Sequence, residues 1–211
     1  MNRHLTLAAA AAALLLSACG SSNEPAKPTV KVSDLAAGMY AVSAGDSANP
    51  TAGRYYSAAD GSRLLVLNNS AQQATALYRR DAGGSWQMTP AATQDTSLEL
   101  LNSSSLQSAT LNFTAVARSY TVRLSSGAAA AFSVNANGEI VAGSTSCKLS
   151  GKLAASSLPN TLKATLSASS CGDLPAQSDG YLVVDSDYAP AAFRLLTYSG
   201  STPLDLWAYA E

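Results

Sequence analysis

From about residue 38 to residue 209 the apolar residues recur at every second position, and this period decides what the chain can fold into. In "SYTVRL", Tyr120, Val122 and Leu124 share one face while Thr121 and Arg123 share the other. "CKLSGKL" sets Cys147, Leu149 and Leu153 against Lys148, Ser150 and Lys152, and "TLKATLSA" puts Leu162, Ala164, Leu166 and Ala168 inward. "SATLNFTA" reads the same way, with Ala109, Leu111, Phe113 and Ala115 on one face. Successive side chains of a strand point to opposite faces, so one dry face and one wet face predict antiparallel sheet rather than helix.

The turn residues agree. Asn137-Gly138 in "FSVNANGEIVAG" and Asp60-Gly61 in "YYSAADGSRLLVL" each separate two apolar runs, a pairing that predicts tight hairpins. Further strands are expected near 38–43, 74–80, 96–101, 180–185, 191–198 and 203–209. Roughly ten short strands joined by Gly, Asn, Asp and Ser predict an all-β fold, a single antiparallel barrel or sandwich. The strands are shorter than those of a membrane-spanning barrel, so the barrel or sandwich is expected to stand on a tether.

The first residues have the layout of a secretory signal. Arg3 and His4 precede a mostly apolar stretch from Leu5 to Leu16, too short to span a bilayer permanently, which needs about 20 residues. Leu16-Ser17-Ala18-Cys19 resembles the lipobox of bacterial lipoproteins. The resemblance implies cleavage before Cys19 and lipid attached to its thiol, so that residues 1–18 are a lipoprotein signal peptide. Gly20 stands where an aspartate would favour retention in the inner membrane, and this points to the outer membrane of the cell envelope. Residues 19–34, with Pro25 and Pro28, read as the lipidated cysteine and a linker, and 35–211 as the β domain.

Charge narrows the partners. Charged residues make up 13% of the chain, about half the usual share, the formal net charge is −1, and the basic residues are scattered. No nucleic-acid surface is expected. The expected partners are the membrane, through the N-terminal lipid, and an envelope protein. His4 is the only histidine and lies in the signal, so the mature chain has no imidazole for a Ser-His-Asp site, a metal or a pH switch. No catalytic residue, metal or cofactor is expected. Asp185-Ser186-Asp187 comes nearest to a site, as a carboxylate pair for calcium or glycoside chemistry, but reads more simply as a solvated corner after a strand.

Cys147 and Cys171 are an even pair in an exported chain, which predicts a disulfide. Matching apolar faces pairs Leu153 with Leu162 and puts Cys147 opposite Ala168. The second strand must then bulge or fold back at Ser169-Ser170 for the sulfurs to meet. "NANGEIVAGSTSCKLSGKL", with Cys171 and Gly180-Tyr181 after it, also resembles the C-terminal half of an uncharacterised class of β-rich proteobacterial lipoproteins, a likeness that brings no activity with it. Trp86, Trp207 and Tyr209, with Tyr55 and Tyr56, are the candidate ligand or partner contacts. The expected function is a non-enzymatic binding, accessory or structural module. The alternatives are a lipocalin-like carrier of a small apolar ligand and an envelope hydrolase using paired carboxylates.

Overall fold

The structure, a computed structural model, describes residues 26–211. Cys19 and the signal lie outside the described residues. The first half of the described chain carries β1 (Val30–Val32), β2 (Gly38–Ala44), β3 (Thr51–Ser57), β4 (Arg63–Asn68), β5 (Ala74–Arg80), β6 (Gln87–Thr89), β7 (Thr96–Leu98) and β8 (Leu100–Leu106). The second carries β9 (Ser119–Arg123), β10 (Ala129–Val134), β11 (Glu139–Ala142), β12 (Lys148–Ala155), β13 (Thr161–Ser169), β14 (Gln177–Val183), β15 (Phe193–Ser199) and β16 (Thr202–Ala210).

The fold is all-β. Strands β9 to β16 run antiparallel in sequence order and close on themselves, β16 pairing β9 through Ala208–Val122 and Tyr209–Thr121, to form an eight-stranded barrel. A six-stranded antiparallel sheet, in the order β6-β5-β4-β3-β2-β8, is built from the first half, and β1 pairs β7 in parallel beside it. Sixteen strand segments therefore replace the roughly ten that alternation suggested, and a sheet accompanies the barrel. Val30–Val32 is already a strand inside the stretch read as linker.

Three apolar clusters hold these layers together. Tyr120, Phe132 and Phe193 pack ring to ring inside the barrel, with centroids 4.5 to 6.5 Å apart, among Val122, Leu149, Leu153, Leu166, Leu182 and Leu195. The barrel's outer wall at β14 and β15 then meets one face of the sheet: Tyr181, Val183 and Leu196 against Met39, Tyr56, Leu64, Val66 and Leu77. The other face of the sheet, with Val42, Tyr55, Leu65 and Tyr78, is covered by Val32, Trp86 and Leu98. The central strands of the sheet are thus dry on both sides, which explains why β4 carries the unbroken run Leu64–Leu67 rather than an alternation.

Both expected hairpins form. Gly138 (φ 78°) turns β10 into β11 and Gly61 (φ 93°) turns β3 into β4, each in the left-handed region that glycine enters without a Cβ penalty. Cys147 and Cys171 are bonded, with Cα atoms 4.4 Å apart. The register differs from the expected one by two residues. Leu153 pairs Ala164 and Leu149 pairs Ala168, so Cys147 needs only a short return of the chain. That return is Ser170, at φ 57°.

"SATLNFTA" is not a strand. Asn160 Oδ1 accepts the Ala109 N–H at 2.6 Å, and Asn112 caps a 3₁₀ turn, Phe113–Val116, by accepting from the Ala115 N–H. Leu111 and Phe113 still bury part of their surface against the barrel core, which satisfies the apolar pattern without a ladder.

Candidate functional site

Closure of the barrel brings an outward-facing cleft together. On β16, Leu206 and Ala208 point into the barrel, so Trp207 and Tyr209 stand on its outer surface. The same alternation on β9 buries Tyr120 and Val122 and leaves Arg123 exposed. With Tyr209 across from Thr121 and Ala208 across from Val122, the ladder carries Trp207 alongside Arg123. These side chains, with Gln73 from the β4–β5 turn, Leu124, Leu174 and Pro203, line a cleft of about 400 Å³. That is within the roughly 300–1,000 Å³ of small-molecule sites.

The two aromatics are held differently. The Trp207 ring packs edge-on against Tyr188 at 5.3 Å, with the Arg194 guanidinium 4.6 Å from its centre, so its position is fixed. Tyr209 is 41% exposed and free to be covered. Asp205, the carboxylate of the cleft, is fully engaged. Its Oδ1 accepts from Arg194 Nε at 3.0 Å, and its Oδ2 accepts from Arg194 Nη2 and from the Ala74 N–H at 2.8 Å. Arg123 takes part in none of the ion pairs among the described residues. The cleft can therefore stack a flat ring and pair an anionic group, and it offers no free proton acceptor.

Beneath it lies a charged seam between barrel and sheet. Arg194 is 0% exposed, hydrogen-bonded also to Asn68 Oδ1 at 3.1 Å, and flanked by the rings of Tyr188 and Trp207. Burial alone would lower its pKa; the hydrogen bond and charge of Asp205 outweigh this and hold the guanidinium above its ordinary value. Next to it Tyr56 and Tyr188 share a hydrogen bond at 3.2 Å, and burial pushes the Tyr56 hydroxyl well above the normal tyrosine range. Tyr181, on the same wall, is pushed up to about 12 by burial.

The other expected contacts fall elsewhere. Trp86 is buried against Tyr55 on the far face of the sheet, and Tyr55 and Tyr56 are both fully buried, so none of the three lines a barrel mouth. The Asp185–Asp187 corner is solvated at Asp187, which is exposed, but not at Asp185. Arg54, 131 residues before Asp185, reaches from β3 with Nε on Asp185 and Nη2 on Asp187, each at 2.5 Å, and Asp185 is only 7% exposed. The two carboxylates serve one guanidinium across the seam. Among the described residues no group of three His, Cys, Asp or Glu side chains could hold a metal ion, and no helix is long and apolar enough to cross a membrane. Arg123 and Gln73 were not singled out by sequence; the alternation had put Arg123 on the wet face, but its neighbour Trp207 becomes visible only when β16 pairs β9.

No family model, no curated protein and no solved structure matches this chain.

Proposed function

We propose that this chain is a lipid-anchored envelope protein, attached through Cys19, whose β fold is a non-enzymatic binding or accessory module that recognises its partner at the β16 cleft. The observation behind this reading is the packed barrel. A carrier of the lipocalin kind holds its ligand inside, where here Tyr120, Phe132 and Phe193 fill the space. Recognition is then left to the outside, and Trp207, Tyr209 and Arg123 are an aromatic and cationic set of the kind that dominates binding surfaces. A hydrolase built on Asp185 and Asp187 lacks a free carboxylate pair, since Arg54 engages both.

Pull-down from crosslinked envelopes tests the recognition surface. Wild-type protein should recover a specific partner that Tyr209→Ala weakens and Arg123→Glu removes, a charge reversal on an exposed side chain that leaves the core untouched. Equal recovery by both variants would place the binding surface elsewhere.

The anchor has its own test. Mass spectrometry of the mature N-terminus should find Cys19 acylated, and Cys19→Ala should leave the protein unprocessed or released from membranes. A processed Cys19→Ala protein that still fractionates with membrane would refute the attachment.

A further inference from the structure

The barrel has no edges, but the six-stranded sheet has two, and they are built differently. Edge β6 is three residues long and runs straight into Pro90, which has no N–H to offer. Its Gln87 and Thr89 side chains are also tied down by Arg79, at 2.9 and 2.8 Å. Natural sheets protect edges in this way, by shortness, proline and charge. Edge β8, "LLNSSSL", is seven residues long and has neither charge nor proline. Among the described residues no strand pairs its outer side.

The layers above and below also stop short of β8. It pairs β2 regularly from Asn102–Ser43 to Leu106–Met39, after a register shift at its start. In that stretch Asn102 and Ser104 lie on the same side of the sheet as Leu106 and Met39, the side facing the barrel, and Ser103 and Ser105 lie on the other. All four are exposed. Neither the barrel nor the β1–β7 layer covers them, so β8 projects with both faces and its backbone edge accessible.

We propose that β8 is a self-recognition edge, at which two copies of this chain pair β8 to β8, antiparallel, about a two-fold axis at Ser104. Ser104 is the midpoint of the regular stretch Asn102–Leu106, so this register uses every residue that keeps the pleat. It sets Ser104 against its own counterpart, Ser103 against Ser105 and Asn102 against Leu106. Small hydroxyls that can hydrogen-bond across the strands then occupy the centre. Glu99 is the one charged residue between Asp95 and Arg118, and in this register the two copies of it sit about 30 Å apart along the ladder, well beyond screening distance.

A second copy fits better than a foreign strand because the edge carries no charge with which to select one. The two-fold contact also closes on itself. The outer edges of the joined sheet are the two β6 strands, too short and too shielded to continue it. A single strand pair is a small interface, so the association is weak and concentration-dependent.

Disulfide trapping and sedimentation test the pairing on the full chain. Ser104→Cys should give a covalent dimer in producing cells at least tenfold above both wild type and the exposed-loop control Ser126→Cys. In detergent solution, wild type and Ser104→Thr should shift from monomer to dimer with rising concentration, while Ser104→Lys, which would oppose two ammonium groups, should stay monomeric. Ser104 is exposed, so these changes leave the core intact. The proposal is overturned if wild type stays monomeric throughout, if Ser104→Lys dimerises as well as wild type, or if Ser126→Cys traps as efficiently as Ser104→Cys.

Discussion

Arg194→Ala is expected to destabilise the protein by about 3–5 kcal/mol, the range for removing one partner of a buried ion pair. The guanidinium is fully buried and serves Asp205, Asn68 and the two rings of Tyr188 and Trp207 together. Truncation strands the Asp205 carboxylate beside Asn68, Tyr188 and Trp207, none of which carries a compensating charge. It also opens a gap between barrel and sheet at the point where Asp205 holds the Ala74 N–H. Denaturant titration of the variant measures the loss. The double variant Arg194→Met with Asp205→Leu removes both charges and keeps the volume, so it should recover most of the stability. A loss below about 1 kcal/mol for Arg194→Ala would mean that water reaches the seam and solvates Asp205.

Removing the disulfide has an effect of similar size by a different route. Cys147 and Cys171 are 24 positions apart, and a crosslink around a loop of that size stabilises by about 3.5 kcal/mol in the chain-entropy account. The paired substitution Cys147→Ala with Cys171→Ala should lower the melting midpoint by roughly 10 °C. The bridge joins the start of β12 to the end of β13, and the eight paired positions of that hairpin keep its register without it. The loss should therefore appear as stability and not as a changed fold. Calorimetry of the oxidised, reduced and substituted proteins checks this, with the reduced wild type and the double variant expected to coincide. A midpoint within about a degree of the oxidised protein would show that the loop is already restrained in the unfolded chain.

Local chemistry was legible from the sequence wherever one strand and its turn decided the outcome. The inward faces of β9, β12 and β13 follow the alternation residue by residue, because one side of each meets the barrel core and the other meets water. Gly138 and Gly61 turn their hairpins in the left-handed region that glycine enters freely. The leads failed where distant segments competed. Phe113 alternates correctly but belongs to a capped 3₁₀ turn, because Asn112 supplies a local hydrogen-bond acceptor that a ladder would have left unused. Asp185 is drawn out of water by Arg54, which no spacing rule connects to it, while Asp187 stays exposed. The two dry faces of the sheet's central strands had a visible signal in the unbroken Leu64–Leu67, but which surface would cover each face depends on packing across half the chain. Of the candidate cleft, alternation placed Arg123 on the wet face, but the pairing of β16 with β9 that sets Trp207 beside it had no signal in the sequence.

The barrel is closed by its last strand, and this sets a clock on assembly. In the exported protein proposed above the N-terminus reaches the envelope first, so the sheet strands β2 to β8 arrive about a hundred residues before β16 is there to seal the barrel against β9. Through that interval Met39, Tyr56, Leu64, Val66 and Leu77 present an apolar face whose permanent cover, Tyr181, Val183 and Leu196, has not yet arrived or cannot yet be held in place. Non-local pairing of this kind is slow, and its waiting species are prone to stick to one another. A chaperone that shields the early sheet would be occupied until residues 202–210 emerge, and the C-terminal strand would be the signal for its release.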